Sequence, residues 1–253
     1  MMDITGKKDA MYLKKRYQEK LNQQHKVIGD KRHFVYKMNH KLKSALGDIQ
    51  KFASDIEANQ EERANLYNSL QNMLSKETDF EEKMLKLSQK GKKVKSIIIN
   101  QKFKDSDIEE ARYDTMREYL EKYPKYASKS SFSEIIEQIK KIESGIKKTK
   151  TDMNKAVSDA LKEISYFPRN ILEFRDIVKK YQDILKEGKE KTENNRYVKS
   201  FLFKLLSEEE KQKMLIDTIN HNPEHFETSI NQIEKEFKKA EEEIITLKKK
   251  FNI

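Results

Sequence analysis

The chain contains no cysteine and no tryptophan, and its 253 residues include only three prolines and six glycines. Without cysteine there is no disulfide, no thiolate ligand for zinc and no thiol nucleophile, which fits a reducing compartment. The first thirty residues hold no apolar run of signal-peptide length, and no stretch approaches the roughly 18 consecutive apolar residues of a spanning helix. We therefore expect a cytoplasmic protein, for which a peripheral position on the inner face of a membrane stays open.

The composition favours long helices over sheets. Charged residues make up 38% of the chain and apolar residues 36%. A chain rich in Lys, Glu, Leu and Ile and poor in helix breakers forms helices that bury a narrow apolar stripe against each other. We expect an all-α fold, an elongated antiparallel helical bundle of about four long helices with a C-terminal helical, coiled-coil extension.

The positive charge lies mainly at the N-terminal end. Residues 1–50 hold twelve basic and five acidic residues, a net charge of +7, whereas residues 171–253 are neutral overall. The stretches YLKKRYQEK and DKRHFVYKMNHKLK interleave basic residues with Tyr, Phe and Met, a pattern that suits an anionic membrane surface or a nucleic acid. A solvated helix face is the simpler interpretation. The candidate anion-binding residues are Lys14, Lys15, Arg16, Lys31, Arg32, Lys37, Lys41 and Lys43.

Breakers and apolar spacing divide the chain into predicted helices. The first runs from about Ala10 to Lys90, with a break near Gly29. A later helix begins at the capping box Ser131–Glu134 and is stopped by Pro168. Its stripe has steps of three or four residues: Phe132, Ile135, Ile139, Ile142, Ile146, Thr149, Met153, Ala156, Ala160, Ile164 and Phe167.

The C-terminal region begins with a polar linker, residues 187–195. A second capping box lies at Ser207 and Glu210, and Pro223 opens the last helix. That helix carries a predicted coiled-coil seam, formed within the chain or between two chains. The seam residues are Ile230, Ile233, Phe237, Ile244 and Leu247.

No arrangement of residues indicates catalysis. His221 and His225 have the four-residue spacing of two metal ligands, but Pro223 stands between them and a helix begins there. Paired carboxylates lie on charged helix faces and not in the water-poor pocket that catalytic carboxylates need, and no phosphate-binding or nucleophile motif is present. We therefore predict no enzyme, no catalytic residue, no metal, no cofactor and no small-molecule substrate.

Residues 132–170, FSEIIEQIKKIESGIKKTKTDMNKAVSDALKEISYFPRN, resemble a segment of the LemA family. The family pattern is roughly F-x-x-L-x-x-x-L-x-x-x-E-x-x-I-x-x-x-R-x-x-Y-N-x-A-V-x-x-Y-N-x-x-I-x-x-F-P-x-N. The matching residues are Phe132, Glu143, Ile146, Asn154, Ala156, Val157, Ile164, Phe167, Pro168 and Asn170. Upstream, the residues that match the family are Ile56, Glu57, Arg63, Leu66, Leu70, Leu74, Glu81, Glu121, Tyr123 and Pro124.

The resemblance covers roughly residues 38–172 and departs from the pattern in places. Lys150, Met153 and Ala160 replace the family's arginine and two tyrosines. The resemblance implies a bacterial, membrane-associated antiparallel helical bundle of uncertain role, with no established enzymatic reaction. Family members typically carry one N-terminal membrane helix, whereas this N-terminal segment is basic and amphipathic.

These observations predict three parts: a basic segment at 1–34, a LemA-like bundle at 35–186, and a linker with a helical extension at 187–253. The expected function is a non-enzymatic scaffold or adaptor, peripheral to a membrane. Two alternatives stay open, a basic helical protein that binds nucleic acid and a homo-oligomeric coiled-coil protein. The expected partners are a protein, a second copy of the chain or an anionic membrane surface, with nucleic acid the weaker candidate.

Overall fold

A computed structural model describes residues 2–74, 113–114, 116–118, 120–122, 130–217 and 221–253. Its long helices are α1 (Met2–Leu74), α2 (Ser130–Glu193) and α5 (Glu224–Phe251), and the two short ones are α3 (Phe201–Lys204) and α4 (Glu208–Gln212). About 90% of the described residues are helical and none of them forms a strand. The predicted all-α helical bundle is confirmed.

The chain divides into two compact units. Unit 1 comprises Met1–Ile49 and Ala156–Asn252, and unit 2 comprises Gln50–Lys155 with the terminal Ile253. Helices α1 and α2 each contribute to both units, whereas α3, α4 and α5 belong to unit 1. The three-part division predicted from the sequence stays a prediction.

Helix α1 contains no break at Gly29, so that expectation was wrong. Glycine costs a helix interior about 1 kcal/mol relative to alanine. Packing offsets this cost, because Ile28 and Val35 are fully buried on either side of Gly29. The neighbouring Lys31 also bonds to α2.

Helix α2 continues through Pro168 as far as Glu193, so the predicted stop at Pro168 and the predicted linker at 187–195 were wrong. Proline removes one backbone hydrogen bond inside a helix. Pro168 lies on the solvent side of α2, where water can meet the carbonyl that proline leaves unpaired. The stripe that Phe167 was expected to end continues with buried Ile171, Phe174, Val178 and Tyr181.

In unit 1, α1 and α2 run antiparallel. The Tyr17 hydroxyl donates to Glu187 at 2.7 Å, and Lys31 pairs with Glu173 at 2.7 Å. Lys41 lies 4.0 Å from Glu163, on the other side of Pro168, so the α2 partner position falls as the α1 position rises, with no offset at Pro168.

Helix α5 packs in unit 1 parallel to α1 and antiparallel to α2. Lys43 of α1 pairs with Glu236 at 2.8 Å, and Arg175 of α2 pairs with Glu234 at 2.8 Å. Phe167 stacks on Phe237 with ring centroids 3.4 Å apart and an interplanar angle of 6°. The core of unit 1 is thus an apolar seam shared by α1, α2 and α5.

Two helix starts predicted from the sequence are confirmed, one at α4 and one at α5. Ser207 caps α4, and Glu210 returns a bond to the Ser207 backbone, so the second capping box is present. Pro223 is the residue immediately before α5. Helix α5 ends at Phe251 and is capped by Asn252, which adopts the left-handed conformation that closes many helix C-termini.

Unit 2 has its own apolar cluster, in which the rings of Tyr67 and Tyr113 are stacked with centroids 4.1 Å apart. Burial and the neighbouring Glu143 raise the pKa of the Tyr67 hydroxyl, which donates to that carboxylate at 3.0 Å. The helix end predicted at Lys90 and the side chain of Ser131 lie outside the described residues.

Gly188 is buried in α2 at a close approach between elements. A Cβ added there would lie 2.6 Å from Ile216 Cδ1 and 2.9 Å from Tyr17 Cγ. We predict that Gly188→Ala lowers the free energy of unfolding by about 1–3 kcal/mol, because the added methyl overpacks the site. Chemical denaturation followed by far-UV circular dichroism measures the change.

Gly29→Ala is the matched control, because a Cβ at Gly29 meets nothing within 4 Å. It should raise the free energy of unfolding by about 0.5–1 kcal/mol, the propensity difference between the two residues in a helix. Equal effects of the two substitutions would contradict the close packing around Gly188.

Candidate anionic interface

The predicted cations lie on several sides of α1. Lys14 is half-buried, and its ammonium donates to the carbonyl of Gln212. Burial lowers the pKa of Lys14, and the nearby Asp217 partly opposes that shift. Lys14 is therefore directed into unit 1 and contributes little to an exposed surface.

Three further predicted cations make ion pairs within unit 1. Lys31 donates to Asn170 at 2.8 Å and to Glu173 at 2.7 Å. Hydrogen bonds from Lys31 and Arg169 lower the pKa of Glu173. Lys43 pairs with Glu236 at 2.8 Å, and Lys41 lies 4.0 Å from Glu163. These pairs link α1 to α2 and α5, so their charge is partly compensated before any partner arrives.

The remaining predicted cations are less engaged. Lys15, Arg16 and Lys37 are exposed, and the described residues offer none of them an ion-pair partner. Arg32 lies over the ring of Tyr36, 5.4 Å from its centroid. Lys15, Arg16 and Lys37 are thus the predicted cations best placed to attract an anion.

Large apolar side chains stand exposed on the side of α1 that carries Arg16 and Lys37. Tyr12, Val27 and Phe34 are 66%, 44% and 49% exposed. With 3.6 residues per turn, steps of three and four residues connect them along one face of the helix. We define the basic face of α1 as Tyr12, Arg16, Lys20, Val27, Phe34, Lys37 and Lys41. The exposed Glu19 and Asp30 lie on the same side of the helix and offset part of this positive charge. Tyr12, Val27 and Phe34 were not among the predicted site residues, although the interleaving of Tyr and Phe with basic residues already indicated this face.

The basic face continues into an open groove between α1 and α2 within unit 1. The groove encloses about 550 Å³. Phe34, Lys37 and Lys41 line it from α1, and Tyr166 and Arg169 line it from α2. Four cations, with Lys31 counted, face the two carboxylates at positions 163 and 173, so the groove carries a net positive charge. Exposed aromatic rings beside cations are the side chains that settle at a lipid headgroup layer.

The predicted coiled-coil seam lies inside unit 1. Among its residues Leu247 is half-buried, and the others are buried by helices of the same chain: Ile230, Ile233, Phe237 and Ile244.

His221 forms a polar contact between helices of unit 1. The Gln18 amide donates to its Nε2 at 2.8 Å, which leaves the proton on Nδ1 to be donated to the Tyr181 hydroxyl at 2.7 Å. Burial lowers the pKa of His221, Asp217 opposes the shift and His25 adds to it. His225 stands exposed at the start of α5. In the described part of the chain, no three His, Cys, Asp or Glu side chains are grouped to hold a metal ion.

Comparison with known proteins identifies one family. The model of the LemA family matches residues 52–199, more than half of the chain. No curated protein matches the chain, and no solved structure matches it. Among the helices of the described residues, none combines the length and the apolar character needed to cross a membrane.

Acid should destabilise unit 1 through His221. The folded pKa lies below the ordinary value of about 6.5, so the unfolded state takes up the proton first as pH falls. The stability is full above pH ~6.5 and is lost progressively as pH falls from there through the folded pKa. Protonation of Nε2 also removes the acceptor for Gln18.

Denaturation of wild type and His221→Gln at a series of pH values from 8 to 5 measures this effect. In His221→Gln the free energy of unfolding should fall less steeply with decreasing pH than in wild type. His33→Gln, at an exposed position of α1, should keep the wild-type pH dependence. Identical slopes for wild type and His221→Gln would contradict the assignment.

Proposed function

The chain belongs to the LemA family, and on that basis we propose that it is a non-enzymatic helical adaptor that rests on an anionic membrane through the basic face of α1. LemA is not known as a family of enzymes. Engagement through a surface of α1 needs no spanning helix. This surface contact differs from the N-terminal membrane-spanning helix that the family resemblance implies.

One observation carries the proposal: exposed Tyr12, Val27 and Phe34 share a helix face with Arg16 and Lys37. Exposed apolar side chains gain free energy when they enter the headgroup boundary, and the cations gain from the negative surface potential. A solvated helix face explains the cations, and the alignment of three exposed apolar side chains with them along one face favours a lipid surface over that simpler interpretation.

The adaptor part of the proposal rests on the form of the helices. Helices α1 and α2 are 73 and 64 residues long, and the residues between their buried positions are mostly polar or charged. Long polar helix faces offer extended surfaces to a protein partner while the seam stays packed. Self-association through the predicted coiled-coil residues would first require those residues to leave unit 1.

Nucleic acid is the other anion that the same cations attract. Affinity for nucleic acid depends on phosphate contacts and falls steeply with salt. Val27 has no role in such contacts, and this favours lipid. The experiment below separates the two by including a DNA duplex beside the vesicles.

Co-sedimentation of the full chain with vesicles tests the proposal. We expect binding to vesicles that contain anionic lipid, none to neutral vesicles, and loss of binding at high salt. Arg16→Gln with Lys37→Gln should weaken binding about thirtyfold, because each basic residue near an anionic membrane contributes about 1 kcal/mol.

The matched control removes the same charge from unit 2. Lys140 and Lys155 are exposed on α2 and are not part of the basic face, so Lys140→Gln with Lys155→Gln should leave binding within about twofold of wild type. Equal losses in both double variants would show a dependence on net charge alone. Binding to the duplex but not to vesicles would replace this function with the nucleic-acid alternative.

A further inference from the structure

The turn after α2 exposes three large apolar side chains close together. Phe201, Leu202 and Leu205 are 71%, 45% and 65% exposed. Residues three and four apart lie on the same side of a helical turn, so Leu205 stands beside the other two. Single exposed apolar residues are ordinary, whereas a cluster of them marks a contact surface. These residues follow the end of the family match at residue 199.

The opposite side of this turn is anchored in unit 1. Phe203 is buried and packs in a cluster with Tyr197, Met214 and Ala10 of α1. The rings of Tyr197 and Phe203 meet edge to face with centroids 6.5 Å apart. Ser200 caps α3 by accepting a bond from the Phe203 amide. The exposed side chains are therefore presented by an element that is fixed to the N-terminal part of α1.

The same turn is basic. Arg196, Lys199 and Lys204 are exposed, and no acidic residue occurs from 194 to 206. Within the described part of the chain, none of these three cations forms an ion pair. The apolar side chains are thus bordered by cations that remain available to an anionic partner.

The acidic start of α4 does not cancel this charge. Each of its three glutamates already has a lysine partner at 4 Å or less. The pairs are Glu208 with Lys211 at 2.7 Å, Glu209 with Lys213 at 3.2 Å, and Glu210 with Lys7 at 3.8 Å.

We propose that residues 196–205 form a membrane-insertion turn, which places its three apolar side chains at the headgroup boundary of an anionic bilayer. Its three cations bind the lipid phosphates, with their aliphatic stems lying along the apolar tip. This inference rests on the proposed function and adds to it a second contact, whose three apolar side chains lie beyond the end of the family match.

The chemistry of the turn fits a lipid surface better than a protein. A standard protein interface takes about 800 Å² from each partner, and three protruding side chains fall well short of that area. A bilayer can accept protruding side chains without a pocket of matching shape, because its apolar interior lies beneath a negatively charged headgroup layer. Met11 and Tyr12 follow Ala10, which packs under the turn, and they add exposed apolar surface at this end of α1.

The absence of tryptophan provides a direct reporter, because Phe201→Trp gives the full chain a single indole. On anionic vesicles its emission should shift to shorter wavelength, and lipids brominated in the acyl chains should quench it. Tyr36→Trp is the matched control. Tyr36 lies on α1 under Arg32, away from the basic face, and this indole should remain unshifted.

A second pair of variants measures the contribution to binding. Phe201→Ser with Leu205→Ser should weaken binding to anionic vesicles by a factor on the order of a hundred, about tenfold for each side chain. Leu172→Ser, 60% exposed on α2, should leave binding within about twofold. Unchanged far-UV circular dichroism shows that these surface changes leave the helices folded.

The outcomes separate this inference from the proposed function. Suppose that Arg16→Gln with Lys37→Gln abolishes binding, while Phe201→Trp emission stays unshifted and Phe201→Ser with Leu205→Ser has no effect. This result would contradict the membrane-insertion turn and support binding through the basic face. The reverse pattern would contradict binding through the basic face and support the membrane-insertion turn. Absence of vesicle binding by wild type would overturn both.

Discussion

The apolar seam shared by α1, α2 and α5 is the interaction on which the rest of unit 1 depends. At its centre Phe167 stacks on Phe237, and both rings are almost fully buried. Helices of this composition have few apolar residues to bury, so a narrow stripe must supply most of the favourable free energy. The ion pairs around the stripe, such as Lys43 with Glu236, add little by comparison and mainly fix the register.

Because the seam uses one side of each helix, it also decides which residues face outward. Helix α1 is held through Val35 and Leu42, which leaves Phe34 and Lys37 on the basic face. The same logic holds at the 196–205 turn, where burial of Phe203 leaves its neighbours exposed. The proposed membrane contacts are therefore a consequence of packing: an element anchored on one side presents cations and apolar groups together on the other.

The sequence predicted the elements governed by local periodicity and capping. The stripe of α2, the burial of most of the α5 seam and the cap at Ser207 follow from spacing alone. The expected breaks at Gly29 and Pro168 were wrong, because burial on either side of each residue outweighs a local cost that neighbours in sequence do not reveal. The ion pairs between helices were equally hard to predict from the sequence, because partners such as Lys31 and Glu173 lie 142 residues apart. In unit 2, Glu143, which matches the family pattern, accepts a hydrogen bond from the Tyr67 hydroxyl. The pattern alone does not show this structural role.

The most direct test of this account is the stability of Phe237→Ala beside Tyr166→Ala, measured by denaturation of the full chain. Phe237→Ala should lower the free energy of unfolding by about 3–5 kcal/mol, because it leaves a cavity at the centre of the seam. Tyr166 is 63% exposed next to Phe167, and its loss should change stability by no more than about 0.5 kcal/mol. A cost below about 1 kcal/mol for Phe237→Ala, or equal costs for the two, would contradict the seam as the basis of the fold.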